Sequence, residues 1–282
     1  MPWTSKHISW LIDTGKRLRT IDGKPVAVWE FRHNNDEEVL SAWAKHFRNH
    51  YCLDCDIDFM RGKKSRKDYL NSTKLPCKTS KLGPPIRAGD FGEILVADYL
   101  QWILQFWVPR VRWASKIVKD DSPKGSDIIG FYFNDPGKLS NMDILSVFEA
   151  KACFSSKSNK ARLQDAINDS AKDRLRIDES LNYIKQILYA RGEKHDALKV
   201  ERFQNPVDLP YRELFGAAAL FSTDLFDVTE ISRTDTTRVP KSKKSKETYP
   251  HPNRDHLVLL IIKGDNMMDL VHELYRRAAD EA

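Results

Sequence analysis

The segment Leu145–Cys153 constrains this chain more than any other. It reads Leu-Ser-Val-Phe-Glu-Ala-Lys-Ala-Cys, an apolar run broken by a serine, one glutamate and one lysine. Its length and composition are those of a buried strand. Side chains alternate along a strand, so Glu149 and Lys151 share one face, two residues apart. Charges in such a place are costly unless something compensates them. A divalent cation on the carboxylate would do so. A buried Glu–Lys ion pair, or an edge strand with its polar face in water, would also satisfy the pattern, and the residues alone leave these readings open.

The flanking sequence is α/β. A strand is expected at Val26–Phe31, then a helix capped by Asn35 or Asp36 that carries Val39, Leu40, Trp43 and Phe47 on one face. A basic stretch reads as loop up to Pro84–Pro85, where a domain boundary is placed. Asp90 is expected to cap a helix from Phe91 to about Phe106, with Trp102, Phe106 and Trp107 in core or interface. Strands are expected at Val111–Val118 and Asp127–Phe133, followed by the Asn134–Asp135–Pro136–Gly137 turn and the strand carrying Glu149. One long helix from Ala161 to about Ala190 ends at Gly192. Strands at Leu214–Phe221 and Leu257–Ile262 and a helix from Met267 to Ala279 complete the pattern. The expected division is a smaller N-terminal α/β module over 1–85, with a basic loop at 61–87, and a domain over 86–282 with a mixed central sheet flanked by helices. At 282 residues, with 41% hydrophobic and 30% charged, the chain is long and apolar enough for such a core.

Asp127 heads the strand before Glu149 and brings a second carboxylate to the same end. Two carboxylates around one cation, with a lysine beside them, suit phosphodiester hydrolysis. Hard oxygens hold Mg²⁺, the cation polarises the phosphoryl oxygen, and the ammonium offsets developing charge. The (D/E)-x-K pattern occurs twice, and Asp22–Gly23–Lys24 lies in a polar turn with no apolar frame. Glu93 is a further candidate, although Asp90 and Glu93 have capping-box spacing, which alone would account for both.

Charge is unevenly placed. Arg61 to Arg87 holds nine Lys/Arg and one acid, and Arg238 to Lys246 holds five and none, within a net charge of +6. Lys63, Lys64, Arg66, Lys67, Lys241, Lys243 and Lys244 are therefore the candidate phosphate contacts, and double-stranded DNA the candidate partner. No apolar run is long enough to span a membrane, and the N-terminus lacks the pattern of a signal peptide. A cytoplasmic protein with reduced thiols is expected. Cys52 and Cys55 are read as buried thiols rather than half of a zinc site, because no second pair of ligands has matching spacing. Gly62–Lys63–Lys64–Ser65 lacks the upstream glycine of a P-loop, so an ATP-driven step needs a partner.

Helix-borne Glu93, then Gly125–Ser126–Asp127, Glu149–Ala150–Lys151 and a helix with Gln164 follow the order of the PD-(D/E)xK nuclease superfamily, which the chain resembles. Ser126 stands where the superfamily's name has proline. More narrowly, GDFGEILVADYL, KGSDIIGF, FEAKA and RLQDAINDSAKDR…LNY resemble the HamA family, the nuclease subunits of the Hachiman anti-phage defence system. HFRNHYC and SRKDYLN fit the same family, and the resemblance runs from about residue 40 to 225. It implies a restriction-endonuclease-like core and a bacterial DNase dependent on Mg²⁺ or Mn²⁺, restrained by and acting with the helicase subunit HamB. Carried over by position, Asp127 and Glu149 are metal ligands, Lys151 is the catalytic lysine, and Glu93 is an auxiliary acid at the metal; Gln164 is a weaker match. Two rival readings stand beside it: a free-standing restriction or repair nuclease, and a catalytically silent subunit that binds DNA or docks a partner.

Overall fold

A computed structural model describes residues 3–156, 161–242 and 245–282. In chain order, strands β1 (Leu11–Arg19) and β2 (Pro25–Phe31) precede helix α1 (Glu37–Tyr51). Short helices α2 (Asp54–Met60) and α3 (Arg66–Tyr69) lead to α4 (Gly83–Asp98). Strands β3 (Ile128–Tyr132) and β4 (Ile144–Cys153) are joined through α5 (Arg162–Ser170), α6 (Ile177–Ala190) and α7 (Lys194–Glu201) to β5 (Arg212–Ser222). Helix α8 (Val228–Ser232) and a ribbon of β6 (Val239–Pro240) and β7 (Thr248–Tyr249) precede β8 (Leu257–Gly264) and α9 (Met267–Asp280).

The six long strands form one sheet in the order β1-β2-β8-β5-β4-β3. The four central strands are parallel, and β1 and β3 close the edges antiparallel. Helices α1, α4 and α9 cover one face with Trp43, Phe47, Phe91 and Tyr275 against Phe148, Leu220 and Ile262. Helices α5, α6 and α7 cover the other with Leu163, Ile167, Leu181 and Val200 against Val147, Ala219 and Ile261. Burial on both faces explains why β4, β5 and β8 read as continuous apolar runs. The fold is thus the expected mixed α/β sheet flanked by helices, consistent with a PD-(D/E)xK-like core. Residues 1–85 contribute two strands to the sheet that residues 86–282 complete, since β2 pairs with β8 from Val26↔Leu259 to Phe31↔Gly264. Among the described residues no helix is long and apolar enough to cross a membrane.

Several local expectations change. Asp36 caps α1, accepting a hydrogen bond from the Val39 amide at 3.1 Å. Pro84 and Pro85 do not close a loop; they sit in the first turn of α4, where a missing N–H costs nothing. Asp90 is therefore two turns inside the helix and caps nothing. The helix widens into a π-turn over Tyr99–Ile103 and stops before Phe106, and Trp107 instead bridges to Phe131. Val111–Val118 is no strand but a loop with one 3-10 turn, Trp113–Ser115. The helix expected over 161–190 is broken between Ala171 and Arg176. Strand β1 and helix α7 had no counterpart in the sequence reading. Cys52 is buried as expected, but Cys55 is exposed on α2.

Gly216 lies across from Phe148 in the β4–β5 register, and a Cβ on it would fall 2.2 Å from the ring. We expect Gly216→Ala to cost about 1–3 kcal/mol by overpacking. Urea unfolding reads the loss, and adding Phe148→Leu should recover part of it. An unchanged midpoint in Gly216→Ala would contradict this packing.

Candidate active site

The β3–β4 hairpin builds the site. Its register pairs Ile128 with Phe148, and one further step sets Asp127 opposite Glu149. Asp127 Oδ2 accepts from the Ala150 amide at 3.3 Å, which locks the carboxylate to the strand carrying the lysine. Odd-numbered residues of β4 face α5, so Glu149 and Lys151 point to the same side, as the alternation predicts. Lys151 Nζ lies 2.5 Å from Glu149 Oε1 and 3.0 Å from Asp169 Oδ2, at the end of α5.

Glu93 arrives from the opposite layer. Gly92 lets α4 press close to the sheet, since a Cβ there would sit 3.3 Å from Leu220 and 3.6 Å from Ala152. Glu93 then reaches the centre through a residue the sequence reading missed. Arg112, in the loop mistaken for a strand, donates to Glu93 Oε2 at 3.1 Å and to Asp127 Oδ1 at 2.7 Å. Its remaining N–H groups meet the carbonyls of Pro123, Lys124 and Ser126 at 2.9–3.2 Å. Four residues on, Lys116 pairs with Asp90 at 2.5 Å, and Tyr51 also donates to that carboxylate. Asp90 and Glu93 are therefore neighbours on one face of α4, each holding a cation of the same loop. This pairing, not a capping box, explains both.

A second missed residue is Asp173, in the 3-10 turn that breaks the expected long helix. It is fully buried, and neither carboxylate oxygen has a hydrogen-bond partner. Glu149 Oε2 is likewise buried and unpartnered. Burial, reinforced by the Asp127 charge, pushes Glu93 up to about 8 and Asp173 up to about 7, and holds Glu149 well above the usual carboxylate range. Burial works to lower Lys151, but Glu149 and Asp127 outweigh it and keep the ammonium above its ordinary value. Only a break between α5 and α6 would have exposed Asp173 in the sequence, and the run from Ala161 to Ala190 carries no proline to mark one.

These donors are hard oxygens, with unpaired buried lone pairs on Glu149 and Asp173, and such a set suits Mg²⁺ or Mn²⁺. Among the described residues no three His, Cys, Asp or Glu side chains already converge on one metal position. Arg112 and Lys151 stand among the carboxylates instead.

Most of the other candidates have partners of their own. Arg66 pairs with Asp58, Lys67 with Asp280 at 2.9 Å, and Lys64 donates to Ser72 at 2.9 Å, while Lys63 is exposed. The basic segment is nevertheless stitched to the Arg112 loop. Lys119 donates to the Asn71 carbonyl at 2.8 Å, and Asp120 accepts from the Cys77 amide at 2.7 Å and from Ser80. Lys241 pairs with Glu247, and Lys243 and Lys244 lie outside the described residues. Gln164 clasps the Asp235 backbone at 2.8 and 3.1 Å, which positions that loop.

The family model of HamA matches residues 6–278. The chain belongs to the HamA family. Membership makes it a Hachiman defence-associated protein and extends the likeness seen over residues 40–225 to nearly the whole chain. No curated protein matches it. For this HamA-family chain the raised carboxylates set a pH dependence. In the folded state Glu93 and Asp173 keep protons that the unfolded chain loses near pH 4, so the native state binds more protons and stability falls as pH rises from about 4 to 8. We expect the melting temperature in EDTA to fall over that window and the fall to be shallower in Glu93→Gln. Equal slopes in the two proteins would count against a buried, protonated Glu93.

Proposed function

We propose that this chain is a divalent-cation-dependent DNA hydrolase, the nuclease subunit of a Hachiman complex. It uses Mg²⁺ or Mn²⁺, cleaves double-stranded DNA and works in the bacterial cytoplasm beside the helicase subunit HamB. The observation that carries this reading is the clustering of Asp127, Glu149 and Lys151 at one end of a buried hairpin, with a Glu149 oxygen unpaired. A charged pair kept inside an apolar strand is poor value for stability alone.

When bound, the cation supplies a polarised phosphoryl oxygen and an acidified water. Asp127 and Glu149 would hold it, with Glu93 as auxiliary acid. Arg112 fixes the rotamers of Asp127 and Glu93 from a loop that cannot drift, because five of its contacts are hydrogen bonds to fixed groups. Lys151 stays charged and is placed to offset the charge that develops on the phosphate. A cleft of about 610 Å³ opens beside Asp127 between the Arg112 loop and α6. The basic segment 61–87, tied to that same loop, would grip backbone phosphates. A partner that restrains the activity is expected, since a free non-specific DNase would destroy the host chromosome.

We expect Glu149→Ala and Lys151→Ala each to reduce cleavage by at least about 100-fold, the scale of losing one electrostatic stabiliser, with circular dichroism unchanged. The assay uses linear and circular DNA, with Mg²⁺ or EDTA, with and without HamB and ATP. Full cleavage by a folded double variant would sink the proposal.

One observation favours a second reading, that of a catalytically silent DNA-binding or docking subunit. Glu93, Asp127 and Glu149 each already have a cation from this chain. That reading expects no cleavage under any condition. Both readings expect DNA binding that weakens with salt. Lys63→Glu with Lys64→Glu should lower affinity and make the slope of log K against log salt shallower by roughly 0.9 per lost phosphate contact. Fluorescence anisotropy between low and physiological salt measures it, and an unchanged slope would remove the basic segment from the interface.

A further inference from the structure

We propose that Asp173 is a ligand of the cation, which would draw it together with Asp127 and Glu149, side chains that do not converge on one position in the chain alone, into a set of three carboxylates from the head of β3, from β4 and from the break between α5 and α6. The inference rests on the reading of the site as a metal centre and names its missing donor. Glu93 and Asp127 share the Arg112 guanidinium, at 3.1 and 2.7 Å. Asp173 is in no ion pair, and the side chain that comes nearest to bonding it is the Ser126 hydroxyl, next to Asp127. Both its oxygens are buried without a partner, while its neighbours Asp169 and Lys172 pair with each other and Asp169 with Lys151. Asp127 is the foremost charge acting on it, the Ser126 hydroxyl beside Asp127 and the Arg176 and Lys151 cations oppose that charge, and Asp173 in turn acts on Glu149.

A structural role leaves the arrangement without a cause. A carboxylate that caps a helix or seals a turn accepts N–H bonds, and Asp173 accepts none. Its position depends instead on the break in the helix. Had α5 run on into α6, residue 173 would have continued the helical surface. The turn Asp173–Leu175 instead buries the side chain. Buried carboxylates with open lone pairs persist where a cation or a proton completes them. Glu149 Oε2 is likewise buried without a partner.

The test is equilibrium Mn²⁺ binding by the full-length protein, read from the electron paramagnetic resonance signal of free Mn²⁺, which needs no DNA and no cleavage. Wild type, Asp173→Asn, Asp173→Glu and Glu149→Gln are compared, with melting temperatures in EDTA. We expect Asp173→Asn to weaken Mn²⁺ binding at least tenfold while melting in EDTA at or above the wild-type temperature, and Asp173→Glu to retain part of the affinity. Asp173→Asn that binds as wild type does, while Glu149→Gln is weakened, overturns the role of Asp173 and leaves the metal centre standing. Asp173→Asn that melts well below wild type in EDTA marks a structural acid and also overturns it. A wild-type protein that binds no Mn²⁺ at millimolar concentration overturns the metal centre and this inference with it.

Discussion

Arg112 sits where four chain segments meet. Its guanidinium joins Glu93 of α4, Asp127 at the head of β3 and the carbonyls of the turn 123–126, all from one loop. The guanidinium is almost dry, so losing both carboxylates would leave its charge buried without compensation, at a cost of about 3–5 kcal/mol. Helix α4 lies on one face of the sheet, whereas Glu149 and Lys151 point to the other. No apolar contact can hold a glutamate from one layer beside carboxylates of the next at the sheet's end. A planar, permanently charged fork can, because it bonds in several directions at once.

The same loop carries a second pair one turn along. Lys116 with Asp90 repeats the geometry of Arg112 with Glu93, and two tyrosine hydroxyls, of Tyr51 and Tyr275, close the polar pocket around Asp90. A helix face with two acids thus clamps a loop with two cations. That loop then reaches the basic segment through Lys119 and Asp120. The basic segment and the acid cluster are therefore coupled by one short stretch of backbone. A displacement of residues 71–80 would bear directly on the Arg112 loop. Membership of the HamA family associates the chain with a defence complex.

Much of this was legible before any coordinates. The strand carrying Glu149 and Lys151 announced itself because two charges in an apolar run obey the strand period. Asp127 followed from heading the neighbouring strand, and the hairpin register sets it opposite Glu149. What misled was local chemistry with two meanings. Asp90 and Glu93 have the spacing of a capping box, and a proline pair reads as a loop as easily as a first helical turn. Val111–Val118 has strand composition, yet Arg112 and Lys116 draw it onto α4 instead. Ion pairing between layers overrode β propensity there.

The sequence by itself determined the α/β architecture and the charged pair in β4, because hydrophobic period and alternation are local properties of the chain. It also determined that the surplus positive charge sits in two short segments. Tertiary structure alone decided which acids gather and what neutralises them. Arg112 lies fifteen residues from Asp127 and nineteen from Glu93, and Asp173 lies twenty-four from Glu149. Such distances carry no periodic signal. The cost of burying a carboxylate is settled only where other groups come to lie against it, and the break between α5 and α6 that turns Asp173 inward is set by packing against the sheet rather than by any breaker residue.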